Sequence, residues 1–426
     1  MAGEKKNRSC CDRAQNISLT PTDTFWIKVY IIRYSKQEEG DHAMQDERLT
    51  LHLQDRPAQL KEAKEKGIKI IGYFPGNYVP EELIIAAGAI PICLIDGGDT
   101  PPLEASLPVM PHIFCPFART QIGERMLKRN PYYDMIDMFV APITCQHLKK
   151  AAEIWEYFGD IDIFKLGIPH QSSNDFELEY YRDRLRALRE RLETFTGNTI
   201  TDEGIGSAIE LYNRMRGLLS KISLMRRAPS VPFDALDFVK LNHASYYADP
   251  TVMVDILESA SDELQGQASI VKADTPRLLL IGPNIGYGDY KILELVTEAG
   301  GSIVIEEIYE GMRYYWSTID TTGDPIDALA RGYLQERIPP AFMRYSTKPR
   351  FDFALKLIRN FSVSGVIWYE LLGCETYDAE SYYFSQKMEE QKIPMLILES
   401  DYGMAGVGQM KIRIEAFIEM VKGGLE

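Results

Sequence analysis

Residues 69–120, KIIGYFPGNYVPEELIIAAGAIPICLIDGGDTPPLEASLPVMPHIFCPFART, contain the reading on which the fold depends. Ile70-Ile71-Gly72-Tyr73-Phe74 is a short apolar run of the kind that forms a strand buried on both faces. A turn of Pro, Gly and Asn follows, and Pro80-Glu81-Glu82-Leu83 opens an alanine-rich helix. Proline suits a first helical turn, where its missing N–H is no loss, and carboxylates there meet the positive end of the helix dipole. Gly88 stops that helix, and residues 90–95 supply the next strand. Strand, helix and strand form a βαβ unit, which implies a parallel sheet with ligand sites at its strand ends. The stretch closes on Cys115, set between Phe114 and Pro116, with Arg119 close behind.

Working outward, residues 120–127 read as a helix, and residues 135–142 as a strand that delivers Cys145 just before the helix LKKAAEIWEYFG. DIFKLG is a further strand, which completes one doubly wound unit over residues 59–173. Residues 1–58 form an N-terminal extension and lead-in helix, with a strand-like run at 25–35. Residues 174–269 carry long amphipathic patterns and read as a helical connector that serves packing or contact between subunits. A second α/β unit spans residues 270–426. RLLLIG is a strand, PNIGYGD a loop, and residues 290–299 a helix. SGVIWY then brings Cys374 to a strand end, and QMKIRIEAFIEMVKGG closes the chain as a helix. The fold class is therefore α/β, with two parallel-sheet domains joined by helices.

Composition narrows the function. With 426 residues the chain exceeds one ordinary core. A net charge of −15 argues against general nucleic-acid binding, and no apolar run reaches the roughly 20 residues of a membrane span. No secretory signal opens the chain, and six cysteines in such a long sequence point to thiols or metal ligands in the cytoplasm. Gly282, Gly286 and Gly288 do not make the dinucleotide fingerprint, and no P-loop is present. Those glycines read as a loop that approaches a ligand or turns tightly.

Cys115, Cys145 and Cys374 share one rule: each stands in a loop that introduces a helix. Helix N-termini favour thiolates. Three separate free thiols are the plainest reading, since free cysteine often packs as a small hydrophobe. The alternative is that the three converge between two sheet edges and hold an iron–sulfur cube, leaving one iron open for a substrate oxygen. Zinc has no CxxC pair to support it. Cys10 and Cys11 read as tail thiols, and Cys93 lies within an apolar strand.

Several long motifs in order then resemble the subunits of 2-hydroxyacyl-CoA dehydratases and benzoyl-CoA reductases, from about residue 48 to the C-terminus. They are GYFPGNYVPEELIIAAGAIP, FCPFAR, TCQHLKK, GPNIGYGDYKILELVTEAGGSIVIEEIYEGMRYYW, LLGCETYDAESYYF and ESDYGMAGVGQMKIRIEAFIE. The resemblance implies flavodoxin-like domains and a [4Fe-4S] cluster on Cys115, Cys145 and Cys374. It also implies a homologous partner subunit, an ATP-hydrolysing [4Fe-4S] activator and an acyl-CoA substrate. Glu82 would contact substrate or move a proton, unless it only complements the helix dipole, and Arg119 would neutralise the cluster or a CoA phosphate, unless it makes only an ordinary surface ion pair. Gln146, where many dehydratase subunits have Asp, leans the resemblance toward the benzoyl-CoA reductase B-type branch. The other readings are an (R)-2-hydroxyacyl-CoA dehydratase subunit, a double-cubane [8Fe-9S] reductase of small molecules, and a cluster-less scaffold.

Overall fold

A computed structural model describes residues 46–229, 231–272 and 274–424. The strand-like run at 25–35, Cys10 and Cys11 lie outside the described residues. Helix α1 (Glu47–Glu65) runs through Pro57 and is capped by Asp46, so it begins well before the helical part of the lead-in pattern expected from sequence.

The first sheet contains β1 (Ile70–Tyr73), β2 (Ile90–Cys93), β3 (Met138–Ile143) and β4 (Asp162–Gly167), all parallel and in the order β2-β1-β3-β4. The second repeats this plan with β5 (Arg277–Ile281), β6 (Ser302–Glu307), β7 (Gly365–Leu371) and β8 (Met395–Ser400), in the order β6-β5-β7-β8. Central strands β1 and β7 are buried at every residue, whereas the edge strands β4 and β8 are partly exposed. Continuous apolar runs follow directly from helices covering both faces of a parallel sheet.

In the first domain the helices are α2 (Glu81–Ala86), α3 (Thr100–Ser106), α4 (Pro116–Leu127), α5 (Pro131–Asp134) and α6 (Gln146–Phe158). The connector comprises α7 (Asp175–Thr196), α8 (Asp202–Met225), α9 (Ala235–Ala244) and α10 (Pro250–Leu264). In the second domain stand α11 (Lys291–Glu298), α12 (Met312–Tyr315), α13 (Pro325–Arg331), α14 (Thr347–Asn360), α15 (Glu375–Glu390) and α16 (Val407–Gly423). A π-helical turn, Gly332–Glu336, continues α13.

The connector is a packed layer. Helix α8 lies against α2 of the first domain and against α12 and α13 of the second, while α7 touches β4 and α13. At its C-terminal end Arg226 reaches β6, its guanidinium gripping Glu306 at 2.6 and 2.7 Å. Helix α8 therefore buries apolar residues from both units at once, which ties the two domains together.

The loops after β2 and β5 meet as backbone. Tyr287 N donates to Ile95 O at 2.6 Å, and Gly97 N donates to Tyr287 O at 3.0 Å. A Cβ on Gly286 would stand 2.7 Å from Gly97 Cα. The glycine loop that the sequence suggested for a ligand or a tight turn thus serves the contact between domains, where only glycine admits so close an approach. Gly98, with φ +70°, is closer still: a Cβ there would lie 2.6 Å from Asp289 N. Gly98→Ala is expected to destabilise the protein by about 1–3 kcal/mol through overpacking and left-handed strain. Gly206→Ala, in open space within α8, should instead stabilise it by roughly 0.5–1 kcal/mol. Urea titration of both variants checks the pair.

Candidate functional site: three cysteines at helix N-termini

Strands β3 and β7 occupy equivalent places in their sheets, each beside the central strand where the strand order reverses. Ligands of open α/β sheets bind outside the strand ends at such switch points. Strand β3 leads to Cys145 and β7 to Cys374, so the two cysteines are positional counterparts in the two domains.

Each of the three cysteines is an N-cap. Cys115 caps α4, which starts at Pro116 rather than at residue 120 as the sequence suggested. Cys145 caps α6, and its Sγ accepts from Leu148 N at 3.5 Å. Cys374 caps α15, which starts at Glu375. Three helix dipoles therefore present their positive ends at the thiols.

Local contacts bring these ends together. Cys115 N donates to His147 Nδ1 at 3.1 Å, and the Phe114 and His147 rings stand 5.1 Å apart. This fixes the His147 ring as an acceptor at Nδ1. Gly373, with φ +75°, lets the Cys374 loop press on the Cys115 loop, since a Cβ there would come 3.0 Å from Ile113 O. The thiols also feel one another. Burial first, then the charges of Cys374 and Cys145, push Cys115 well above the usual thiol range. Cys374 is pushed up to about 12 by burial and by Cys145, and burial raises Cys145 as well. Left alone, three such thiols stay protonated; a cationic ligand that takes them as thiolates displaces their protons.

Against this geometry stand the comparisons. The profile of 2-hydroxyglutaryl-CoA dehydratase, D-component, matches residues 77–421, which include all three cysteines. This chain belongs to that family. The Escherichia coli (strain K12) putative dehydratase subunit YjiM is 26% identical over 365 residues, covering 84% of this chain and 93% of that one. The (R)-phenyllactyl-CoA dehydratase beta subunit of Clostridium sporogenes is 23% identical over 369 residues (84% and 94%). The C-type subunit of benzoyl-CoA reductase from Thauera aromatica is 25% identical over 344 residues (79% and 86%). The chain is thus similar to subunits of both dehydratases and a reductase, each named as one subunit of a larger enzyme. Among its described residues no helix is long and apolar enough to cross a membrane.

Around the cysteines of this D-component family member, Arg119 is buried and donates from Nη2 to Leu103 O at 2.8 Å, while its Nε has no partner. Burial lowers its pKa; Cys115 and Asp401 act in the opposite direction. Its guanidinium lies within electrostatic reach of Cys115. Glu82 is placed differently. It is fully buried and ion-paired with Arg216 of α8, Oε1 to Nη1 at 2.7 Å, and it accepts from Tyr333 Oη at 2.7 Å. Cys93, at the end of β2, lies in the core beside Tyr73 and Glu81.

The sequence did not single out Glu81. It accepts from Tyr73 Oη at 2.5 Å, and burial pushes its pKa up to about 7, with Arg216 pulling against that shift. A folded-state value above the ordinary 4.5 means that the native state holds an extra proton between those two pH values. Its contribution to stability is fully present below about 4.5 and is lost as pH rises through about 7. The melting temperature should therefore fall across that window in wild type and fall less in Glu81→Gln, as scanning calorimetry against pH would show.

Proposed function

We propose that this chain is the iron–sulfur subunit of an acyl-CoA enzyme, with Cys115, Cys145 and Cys374 holding a [4Fe-4S] cluster by three of its irons. One observation supports the reading: three thiols from two domains cap three helices and lie within electrostatic reach of one another. Among the described residues no three His, Cys, Asp or Glu side chains are grouped tightly enough to hold a single metal ion. A [4Fe-4S] cluster takes each cysteine on a different iron, so three thiols need not share one metal ion. When bound, such a cluster supplies a low-potential electron and one iron free of protein ligands.

The chain's own residues do the rest. The helix N-termini and Arg119 favour the thiolate form by opposing its charge. His147 holds the Cys115 loop in place through the Cys115 N–H. Glu82 stays a candidate for proton transfer, reached through Tyr333 rather than by direct contact with the thiols. A homologous partner subunit and an ATP-hydrolysing activator complete the proposed system, in a cytoplasm that keeps thiols reduced.

For the reaction, the motifs around Gln146 favour a benzoyl-CoA reductase-like activity, in which two electrons and two protons convert the aromatic ring to a cyclic diene thioester. A second reading, water elimination from an (R)-2-hydroxyacyl-CoA with no net redox change, is favoured by relatives named as dehydratase beta subunits. Anaerobic purification with a partner subunit, then iron and sulfide analysis, tests the common core. About four of each per chain is the expected result. About eight irons would mean the double-cubane branch, and none would leave a scaffold. Turnover of benzoyl-CoA against 2-hydroxyacyl-CoA, with activator and ATP, separates the two reactions.

A further inference from the structure

Arg313, in the EGMRYYW motif, and Arg337, just after the π-helical turn, are 4% and 3% exposed and form no ion pair among the described residues. Both converge on the turn at residues 76–78 of the other domain. Arg313 donates from Nε to Gly76 O at 3.4 Å and from Nη1 to Ile338 O, and its Nη2 has no partner. Arg337 donates from Nη1 to Asn77 O at 2.9 Å, which leaves Nε and Nη2 without partners. The Arg313 guanidinium lies 4.5 Å over the Tyr78 ring. Tyr309 Oη is buried there too and meets hydrogen-bond geometry with nothing; a Cβ on Gly76 would stand 2.7 Å from it. Burial, with the charges of Arg216 and Arg313, holds Arg337 below its usual range, while Tyr333 and Glu82 act in the opposite direction.

Neither guanidinium has a carboxylate in salt-bridge contact among the described residues, Glu82 and Glu307 acting on Arg337 and Arg313 only from farther off, and orphaned buried donors are rare in native proteins. Three N–H groups and a phenol without partners beside one turn are the complement of a group with several acceptor oxygens, which a planar guanidinium fork binds well. We propose that Arg313, Arg337 and Tyr309 form a binding site for one oxyanion, either a carboxylate or a phosphate group, between the two domains. Tyr309 also lies within electrostatic reach of Cys145, so the anion stands on the cysteine side of the interface.

Thermal melting of the full chain at constant ionic strength, titrated with inorganic phosphate or with glutarate, tests it. A saturable rise in melting temperature is expected with one of the two. Phosphate alone would indicate a phosphate-bearing ligand, and glutarate alone a carboxylate on the ligand. Arg313→Gln and Arg337→Gln should weaken the apparent affinity by about tenfold or more. Tyr309→Phe keeps the ring and should weaken binding severalfold, which decides the matter if the arginine variants do not fold. No saturable rise with either anion, or variants that respond as wild type does, would overturn the proposal.

Discussion

Cys374→Ala is expected to strip the purified protein of iron, from about four per chain to below roughly one, and to abolish turnover with any acyl-CoA. This cysteine makes the sharpest test because its removal should leave the fold intact. Its side chain makes no capping hydrogen bond, unlike that of Cys145, which accepts from Leu148 N. Replacing it should therefore cost less than the ~1 kcal/mol typical of losing an N-cap. It is also the one thiol of the three from the second domain, so iron loss would mean that ligands from both domains are required. Cys93→Ala is the control: its thiol sits in the core at the end of β2, and its removal should leave the iron content unchanged. Full iron in Cys374→Ala would sink the three-cysteine assignment.

Glu82→Ala is expected to destabilise the protein by about 3–5 kcal/mol, since it leaves Arg216 charged and buried without its carboxylate. That is a large share of a stability that is typically about 5–15 kcal/mol. The double variant Glu82→Leu/Arg216→Met should recover most of the loss, because replacing a whole buried pair by apolar groups is often neutral or better. Denaturant midpoints measure this, and the same proteins test the proposed proton transfer. If Glu82 serves only as the partner of Arg216, the double variant should regain turnover together with stability. If it moves a proton, stability returns and turnover does not.

Much of the architecture was legible in the chain. Runs such as Ile70–Tyr73 and Gly365–Leu371 are apolar without alternation, as strands covered on both faces must be. Each cysteine's place before a helix was legible too, because strand ends and helix starts are set by neighbouring residues. The helix boundaries were less so: Pro116 and Glu375 begin α4 and α15 directly after the cysteines, and only backbone geometry reveals that. Glu82 shows the limit from the other side. Its place in the first turn of a helix suggested a dipole partner or a reactive acid, yet its partner Arg216 comes from a helix far along the chain.

By itself, the sequence determined two parallel α/β units, a helical segment between them, and three thiols in loops that introduce helices, since these follow from local periodicity and turn chemistry; the expected strand end holds for Cys145 and Cys374, whereas Cys115 stands between two helices. Tertiary structure alone decided that the glycines of the two domains meet each other, that Arg216 claims Glu82, and that Arg313 and Arg337 are buried near Tyr309 without a salt-bridge partner among the described residues. Those pairings join residues far apart in the chain, and nothing in the spacing of one segment records the charge or shape of the segment that packs on it.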